Sequence, residues 1–151
     1  MSNGLPANDP YVTPEEPSTA QAIAAIGEEL AVFDDWMDRF EFIIDLGRKL
    51  PEYPQALADD AHRVRGCQAR VWLAATKRDG LLYFAGMADA AIVSGLVALV
   101  LRVYSGRSRD EILATSPMFL RDLGLVAALS TNRGNGVAAM VERIQTIAEA
   151  T

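Results

Sequence analysis

Cys67 is the only cysteine in a chain of 151 residues, and the only histidine, His62, precedes it by five positions. One thiol has no internal disulfide partner. One thiol and one imidazole also fall short of the roughly four ligands of a structural metal site, so no metal centre is expected. A scaffold that builds iron–sulfur clusters on itself is disfavoured for the same reason, because clusters want several thiolates. What remains for a lone cysteine is nucleophilic chemistry, in which the thiolate is the reacting form. Arg63, Arg65 and Arg70 lie within four residues of Cys67, in a chain of net charge −6, and their positive potential favours that form. Gly66 allows a sharp turn just before the thiol, and Gln68 brings amide donors beside it. Packing of Cys67 as a buried apolar residue is the competing reading. A thiol hydrolase would need a positioned histidine and an oxyanion hole. His62 is the sole candidate base, and a surface histidine at a strand end is its plainer reading.

The elements that must hold this segment are legible from periodicity and punctuation. Residues 1–17, rich in proline and polar residues, are expected to form a disordered tail. A single domain is expected over 18–151. Ser18 with Gln21 reads as a capping box, followed by Ile23, Ile26, Leu30 and Phe33 at helical spacing. Asp34 or Asp35 opens a second helix, with Trp36, Phe40, Ile43, Ile44 and Leu50 along one stripe. Arg48 and Lys49 suit its end, and Pro51 and Pro54 stop it. Residues 71–76 alternate as a strand, Lys77-Arg78-Asp79-Gly80 turns, and 81–85 return. His62-Arg63-Val64 offers a short third strand. Asp89 is a candidate cap for a nearly all-apolar helix ended by Gly106. Ser108 with Glu111 starts a short helix, Ser116-Pro117 another closed by Gly124, and a last helix runs from about Asn135 to Ala148. The class is α+β: a small antiparallel sheet of two to three strands packed against several helices.

Charge and hydropathy narrow the function. A net charge of −6 does not suit a phosphate-backbone binder, which needs a basic face, so no nucleic-acid partner is expected. Residues 90–101 form the longest apolar stretch and are too short to span a bilayer, so no membrane role is expected. The first 21 residues show no apolar run behind a positive region, so no secretory signal is expected. A chain this poor in cysteine suits a reducing cytoplasm, where a lone thiol stays reduced.

Several blocks stand in order along the chain. Leu46-Gly47-Arg48-Lys49-Leu50-Pro51 comes before Val64-Arg65-Gly66-Cys67-Gln68-Ala69-Arg70-Val71-Trp72. Asp89-Ala90-Ala91-Ile92-Val93-Ser94-Gly95-Leu96 and Tyr104-Ser105-Gly106 follow, and Leu129-Ser130-Thr131-Asn132-Arg133-Gly134-Asn135-Gly136 precedes the last helix. Together they closely resemble the SufE family of sulfur acceptors in iron–sulfur cluster assembly, which includes CsdE-type relatives. The resemblance covers about residues 20 to 150. Two departures stand out: Ala69 replaces the usual serine after Gly-Cys-Gln, and Ser130-Thr131-Asn132-Arg133 replaces the usual Ser-Pro-Ser-Arg.

The resemblance implies that Cys67 is a nucleophile and transient persulfide carrier. It would take sulfur from a PLP-dependent, SufS-type cysteine desulfurase, stimulate that enzyme, and pass the sulfur to a SufBCD-type scaffold. The protein is then an accessory rather than an enzyme; the PLP belongs to the desulfurase, and no cofactor is expected in this chain. Arg133 matches the family's arginine near the cysteine and would support a thiolate or persulfide anion; its alternative is a helix-flanking arginine bonded to a carbonyl. Asp89 matches an acidic position at the start of the central helix. Gly66, Gln68, Arg65 and Trp72 would shape the cysteine loop, Trp72 also reading as simple core packing. The alternatives are a CsdE-type acceptor feeding another sulfur-transfer pathway, or a non-catalytic desulfurase-binding module. A monomer or weak homodimer is expected.

Overall fold

The computed structural model describes residues 9–65, 69–125 and 131–151, with the backbone alone for 131–136. Helix α1, Thr19–Ala31, opens at Ser18, whose hydroxyl accepts from the Gln21 amide at 3.1 Å. That satisfies one of the donors left over at any helix start. Ala22, Ile26 and Leu30, four apart, form its buried stripe. Helix α2, Trp36–Arg48, is capped by Asp35, which accepts from the Asp38 amide at 3.0 Å. It ends just before Pro51, as the prolines require.

The sheet is antiparallel, in the order β1 (Arg63–Val64), β2 (Val71–Arg78), β3 (Leu81–Ala88). The hairpin is longer than its alternation suggested. Its turn is only Asp79-Gly80, with φ of 53° and 81°, so pairing begins at once with Arg78 opposite Leu81. Two positive φ angles at the tip match the right-handed twist of the flanking strands. Alternation then sorts the faces. Val71, Leu73, Leu82 and Phe84 enter the main core, while Trp72, Ala74, Ala85 and Met87 meet Tyr53, Tyr11 and Leu57 on the other side.

Helix α3, Ala91–Tyr104, is the central helix expected from its all-round apolar surface, with Val93, Leu96, Val97, Val100 and Leu101 buried. It crosses α2 at close range: a Cβ on Gly95 would lie 2.6 Å from the Ile43 carbonyl carbon, and one on Gly47 2.6 Å from the Gly95 nitrogen. Only glycine permits that approach. Helices α4 (Arg109–Ala114) and α5 (Phe119–Asp122) follow, then α6, Thr131–Ala150. Helix α6 begins about four residues before its expected start near Asn135. Gly134 and Gly136 both lie in this early part of the helix. Each costs only about 1 kcal/mol in a helix, and propensity is a weak prior against the packed apolar face that follows. That face is Val137, Met140, Val141 and Ile144, all buried.

The N-terminal segment corrects the sequence reading. Residues 1–8 lie outside the described residues, but 9–17 are laid along the body rather than disordered. The Val12 amide donates to the Phe84 carbonyl at 2.9 Å, and the Ser105 hydroxyl donates to the Val12 carbonyl at 2.6 Å. Arg78 donates twice to Asp9 (2.9 and 3.1 Å). Arg102 holds Glu16 and Glu29 together, and Arg107 donates to the Glu16 carbonyl at 2.6 Å. Proline and polar composition predicts disorder when a segment has nothing to bind. Here the outer edge of β3 and two buried arginines supply partners for its backbone and carboxylates.

Candidate functional site

The cysteine segment connects β1 to β2. Its root is the pair Val64–Val71, 3% and 1% exposed, with Arg63 opposite Trp72 beyond it. The root is therefore anchored in the main core, while Arg65 and Arg70 at the two ends of the connection are exposed. Gly66, Cys67 and Gln68 lie outside the described residues. Ala69 is half-buried and packs against the main core, an environment in which the absent serine hydroxyl would have needed a partner.

Asp89 corrects a second reading. Ala90, not Asp89, is the residue flanking the start of α3, and no side chain caps that helix. The Asp89 carboxylate instead accepts from the Arg70 amide at 2.9 Å and lies 3.7 Å from the Arg70 guanidinium. The Asp89 amide in turn donates to the Arg70 carbonyl at 3.0 Å. This reciprocal pair fixes the C-terminal end of the cysteine connection to the head of α3. The bland expectation for Asp89 was a helix cap. Its carboxylate is engaged one strand away because β3 delivers it beside Arg70, in register with Val71 opposite Ala88.

The N-terminal end of the connection is fixed by a residue that sequence reasoning missed. Arg143, on α6, donates to the Ala61 carbonyl at 2.6 Å and to the Arg63 carbonyl at 3.0 Å. Nothing local announces a contact eighty positions away.

His62 is half-buried, and its Nδ1 lies 2.6 Å from the Asp59 carboxylate. An ionised carboxylate can only accept, so Nδ1 carries the proton in this bond. The bond holds the Asp59 carboxyl below its ordinary range, the His62 side chain being the leading cause. The i,i+3 spacing was the available signal for this pair. Trp72 is half-buried and packs in the second cluster with Tyr53 and Met87, so its packing role is the observed one. Burial in that cluster pushes the Tyr53 phenol up to about 12. Arg133 falls in the first turn of α6 rather than in a loop before it, and its side chain lies outside the described residues.

Among the described residues no group of His, Cys, Asp and Glu could hold a metal ion, and no helix is long and apolar enough to cross a membrane. Fold and site together define an α+β thiol protein whose sole cysteine sits in a short inter-strand connection pinned at both ends by arginine-centred contacts.

The model of the SufE family, described as an Fe-S metabolism associated domain, matches residues 24–148. An uncharacterized SufE-like protein of Rhizobium meliloti is 39% identical over 127 residues, spanning 81% of this chain and 91% of that one. The sulfur acceptor protein CsdE of Escherichia coli is 35% identical over 146 residues, 95% of each chain. The solution structure of a hypothetical protein from Thermus thermophilus superposes with a TM-score of 0.72 at 21% identity. It covers 85% of this chain and 94% of that one, which is a likeness of fold. The chain belongs to the SufE family.

Proposed function

We propose that this protein is a sulfur carrier that accepts persulfide sulfur from a cysteine desulfurase onto Cys67, stimulates that enzyme, and delivers the sulfur for iron–sulfur cluster assembly. The Cys67 thiolate attacks the outer sulfur of the desulfurase persulfide. A sulfur–sulfur bond forms on Cys67, the one to the desulfurase cysteine breaks, and that cysteine leaves as thiolate. The step is an exchange, with no net electron transfer, and follows the rules of thiol–disulfide exchange. A second displacement hands the sulfur to a SufBCD-type scaffold. The PLP that generates the persulfide resides in the desulfurase.

The observation that carries this reading is a SufE-family chain with one cysteine, placed between two strands whose roots are pinned at Arg63 and Arg70. A single thiol suits a carrier, because a second one nearby would resolve the persulfide into an internal disulfide. Arg133 belongs to the first turn of a 20-residue helix, and the role proposed for it is support of a thiolate or persulfide anion, which a guanidinium and a helix N-terminus both favour. Arg65, Gly66 and Gln68 shape the approach to the thiol. A reducing cytoplasm is the compartment that suits the chemistry. The likeness to CsdE along 95% of the chain favours one second reading, an acceptor that feeds another sulfur-transfer pathway.

Intact-mass measurement after incubation with a cysteine desulfurase and free cysteine tests the proposal. A reducible gain of one sulfur atom, absent in Cys67→Ser, is the expected result. Cys67→Ser should still bind the desulfurase but no longer stimulate it. No adduct beside an active desulfurase would overturn the reading, and full stimulation by Cys67→Ser would leave a binding module.

A further inference from the structure

Strand β1 is two residues long and forms the edge of the sheet, with Arg63 opposite Trp72 and Val64 opposite Val71. Two residues of pairing are little to hold a strand, since a mean strand runs about five or six residues. An edge strand also presents unpaired carbonyls on its outer side. Arg143 meets this deficit. One guanidinium nitrogen donates to the Arg63 carbonyl and the other to the Ala61 carbonyl, at 3.0 and 2.6 Å. Ala61 and Arg63 are alternate residues, and the planar fork of a guanidinium spans their carbonyls as a single lysine ammonium cannot. Both bonds are charge-assisted and therefore among the stronger ones available. The backbone just before the edge strand is held as well: Asp59 accepts from the His62 amide at 3.0 Å.

The anchor of Arg143 is itself rigid. It lies on α6 between Met140 and Ile144, both wholly buried, so its stem departs from a helix fixed in the main core. The same helix carries Arg133 ten residues upstream, about 15 Å along the axis at 1.5 Å per residue. Helix α6 thus supplies a residue at its N-terminus and grips, further down, the strand from which the cysteine connection departs.

We propose that Arg143 is a positioning residue for sulfur acceptance: it locks β1 against β2 and so fixes the departure point of the connection that carries Cys67. The role of the lock in transfer rests on the proposed function; the lock itself does not. With Arg143 gone the two-residue strand frays, the departure point moves, and fewer encounters with the desulfurase persulfide are in line for attack.

The test compares wild type with Arg143→Met, which keeps an apolar stem without donors, and Arg143→Lys, which keeps the charge but not the fork. Amide hydrogen exchange over 63–65 should accelerate at least tenfold in Arg143→Met and less in Arg143→Lys, while exchange in α1 and α3 stays unchanged. Single-turnover transfer from a pre-formed desulfurase persulfide should slow about three- to tenfold at saturating carrier, with the half-saturating concentration unchanged and Arg143→Lys intermediate. Unchanged exchange at 63–65 overturns the lock. A loss confined to the half-saturating concentration overturns positioning in favour of docking. If wild type takes up no sulfur, the proposed function fails while the exchange result still decides the lock. Should Arg143→Met lose its fold, Arg143→Lys carries the comparison, and exchange and transfer rate both equal to wild type would then overturn the proposal.

Discussion

Replacing Arg102 by Met tests how much one of the two buried arginines contributes to holding the N-terminal segment. The Arg102 side chain is 9% exposed and makes four hydrogen bonds to two carboxylates, at 3.2 and 2.6 Å to Glu16 and 3.0 and 2.7 Å to Glu29. Methionine retains much of the packed stem but removes the guanidinium that donates to both Glu16 (15% exposed) and Glu29 (38%). Removing one partner of a buried pair costs about 3–5 kcal/mol. Glu29 is more than a third exposed and keeps part of its hydration, which lowers the expected loss to about 2–3 kcal/mol. For a domain of this size that is roughly 5–10 °C in Tm. Urea denaturation at pH 7 gives the free energy, and limited proteolysis near residues 9–17 should accelerate in parallel. The triple variant Glu16→Gln, Glu29→Gln, Arg102→Met removes the uncompensated charges and should recover much of the loss. The pH dependence has a fixed sign. The Arg102 hydrogen bond holds the Glu29 carboxyl below its ordinary value of 4.5. The contribution is therefore fully present above 4.5 and is lost as the pH falls through the lowered value. The gap between wild type and Arg102→Met should be widest near neutrality and close in acid. A variant within about 0.5 kcal/mol of wild type at pH 7, well below the loss expected for a broken buried pair, would refute the reasoning.

Two further substitutions separate the site from the scaffold. Asp89→Ala removes the carboxylate that accepts the Arg70 amide; both side chains are about half exposed, so stability should fall by no more than about 1 kcal/mol. The alkylation rate of Cys67 by iodoacetamide should nevertheless change by at least about twofold, because the connection loses its C-terminal tether; an unchanged rate would count against that tether. Gly95→Ala places a methyl 2.6 Å from the Ile43 carbonyl carbon and 2.5 Å from its Cγ2, forcing α2 and α3 apart at a cost of about 3 kcal/mol or more. A melting temperature within about 2 °C of wild type, far less than such a loss should produce, would mean that the helices cross more loosely than described.

Local signals in the sequence held where the interaction itself is local. Ser18 and Ser108 cap helices as their spacing indicated, and of the two candidates Asp34 and Asp35 it is Asp35 that caps the second helix, because the cap and the amide it satisfies are three residues apart. The hairpin followed from alternation around Asp79-Gly80. The central helix followed from an apolar surface that only burial could explain. Segment 9–17 and Asp89 failed for one shared reason. Each carries a local signature, proline-rich for the first and a cap for the second, yet each is claimed by a partner brought near only by the fold. Glu111 shows the same effect at smaller scale. Ser108 accepts from its amide as a capping box requires, but its carboxylate goes to the Thr19 amide at 2.8 Å, 92 positions away. The cysteine block itself was legible as a motif, since its residue types and spacing lie within nine positions. The contacts that frame it, Arg143 to Ala61 and Arg63 and Asp89 to Arg70, were not.

The placement of those contacts bears on how a carrier can serve two partners in turn. Under the proposed function Cys67 must be approached first by a desulfurase and then by an acceptor, and each must reach the sulfur in line. Any structural tether immediately beside the thiol would occupy the space that a partner needs. Among the described residues the tethers act at the two ends of the connection: Arg143 on the backbone at 61 and 63, Asp89 on residue 70. The two ends of the connection are thereby held by groups from outside it, one on α6 and one just after β3. Arg65 and Arg70 are exposed, Arg70 with its guanidinium 3.7 Å from the Asp89 carboxylate; under the proposed function their positive charge would favour a sulfur anion at this edge. Holding the ends of the connection from outside it is an arrangement compatible with the exchange between proteins that the proposed function requires. It also explains why the residues that do the fixing carry no signature in the cysteine motif.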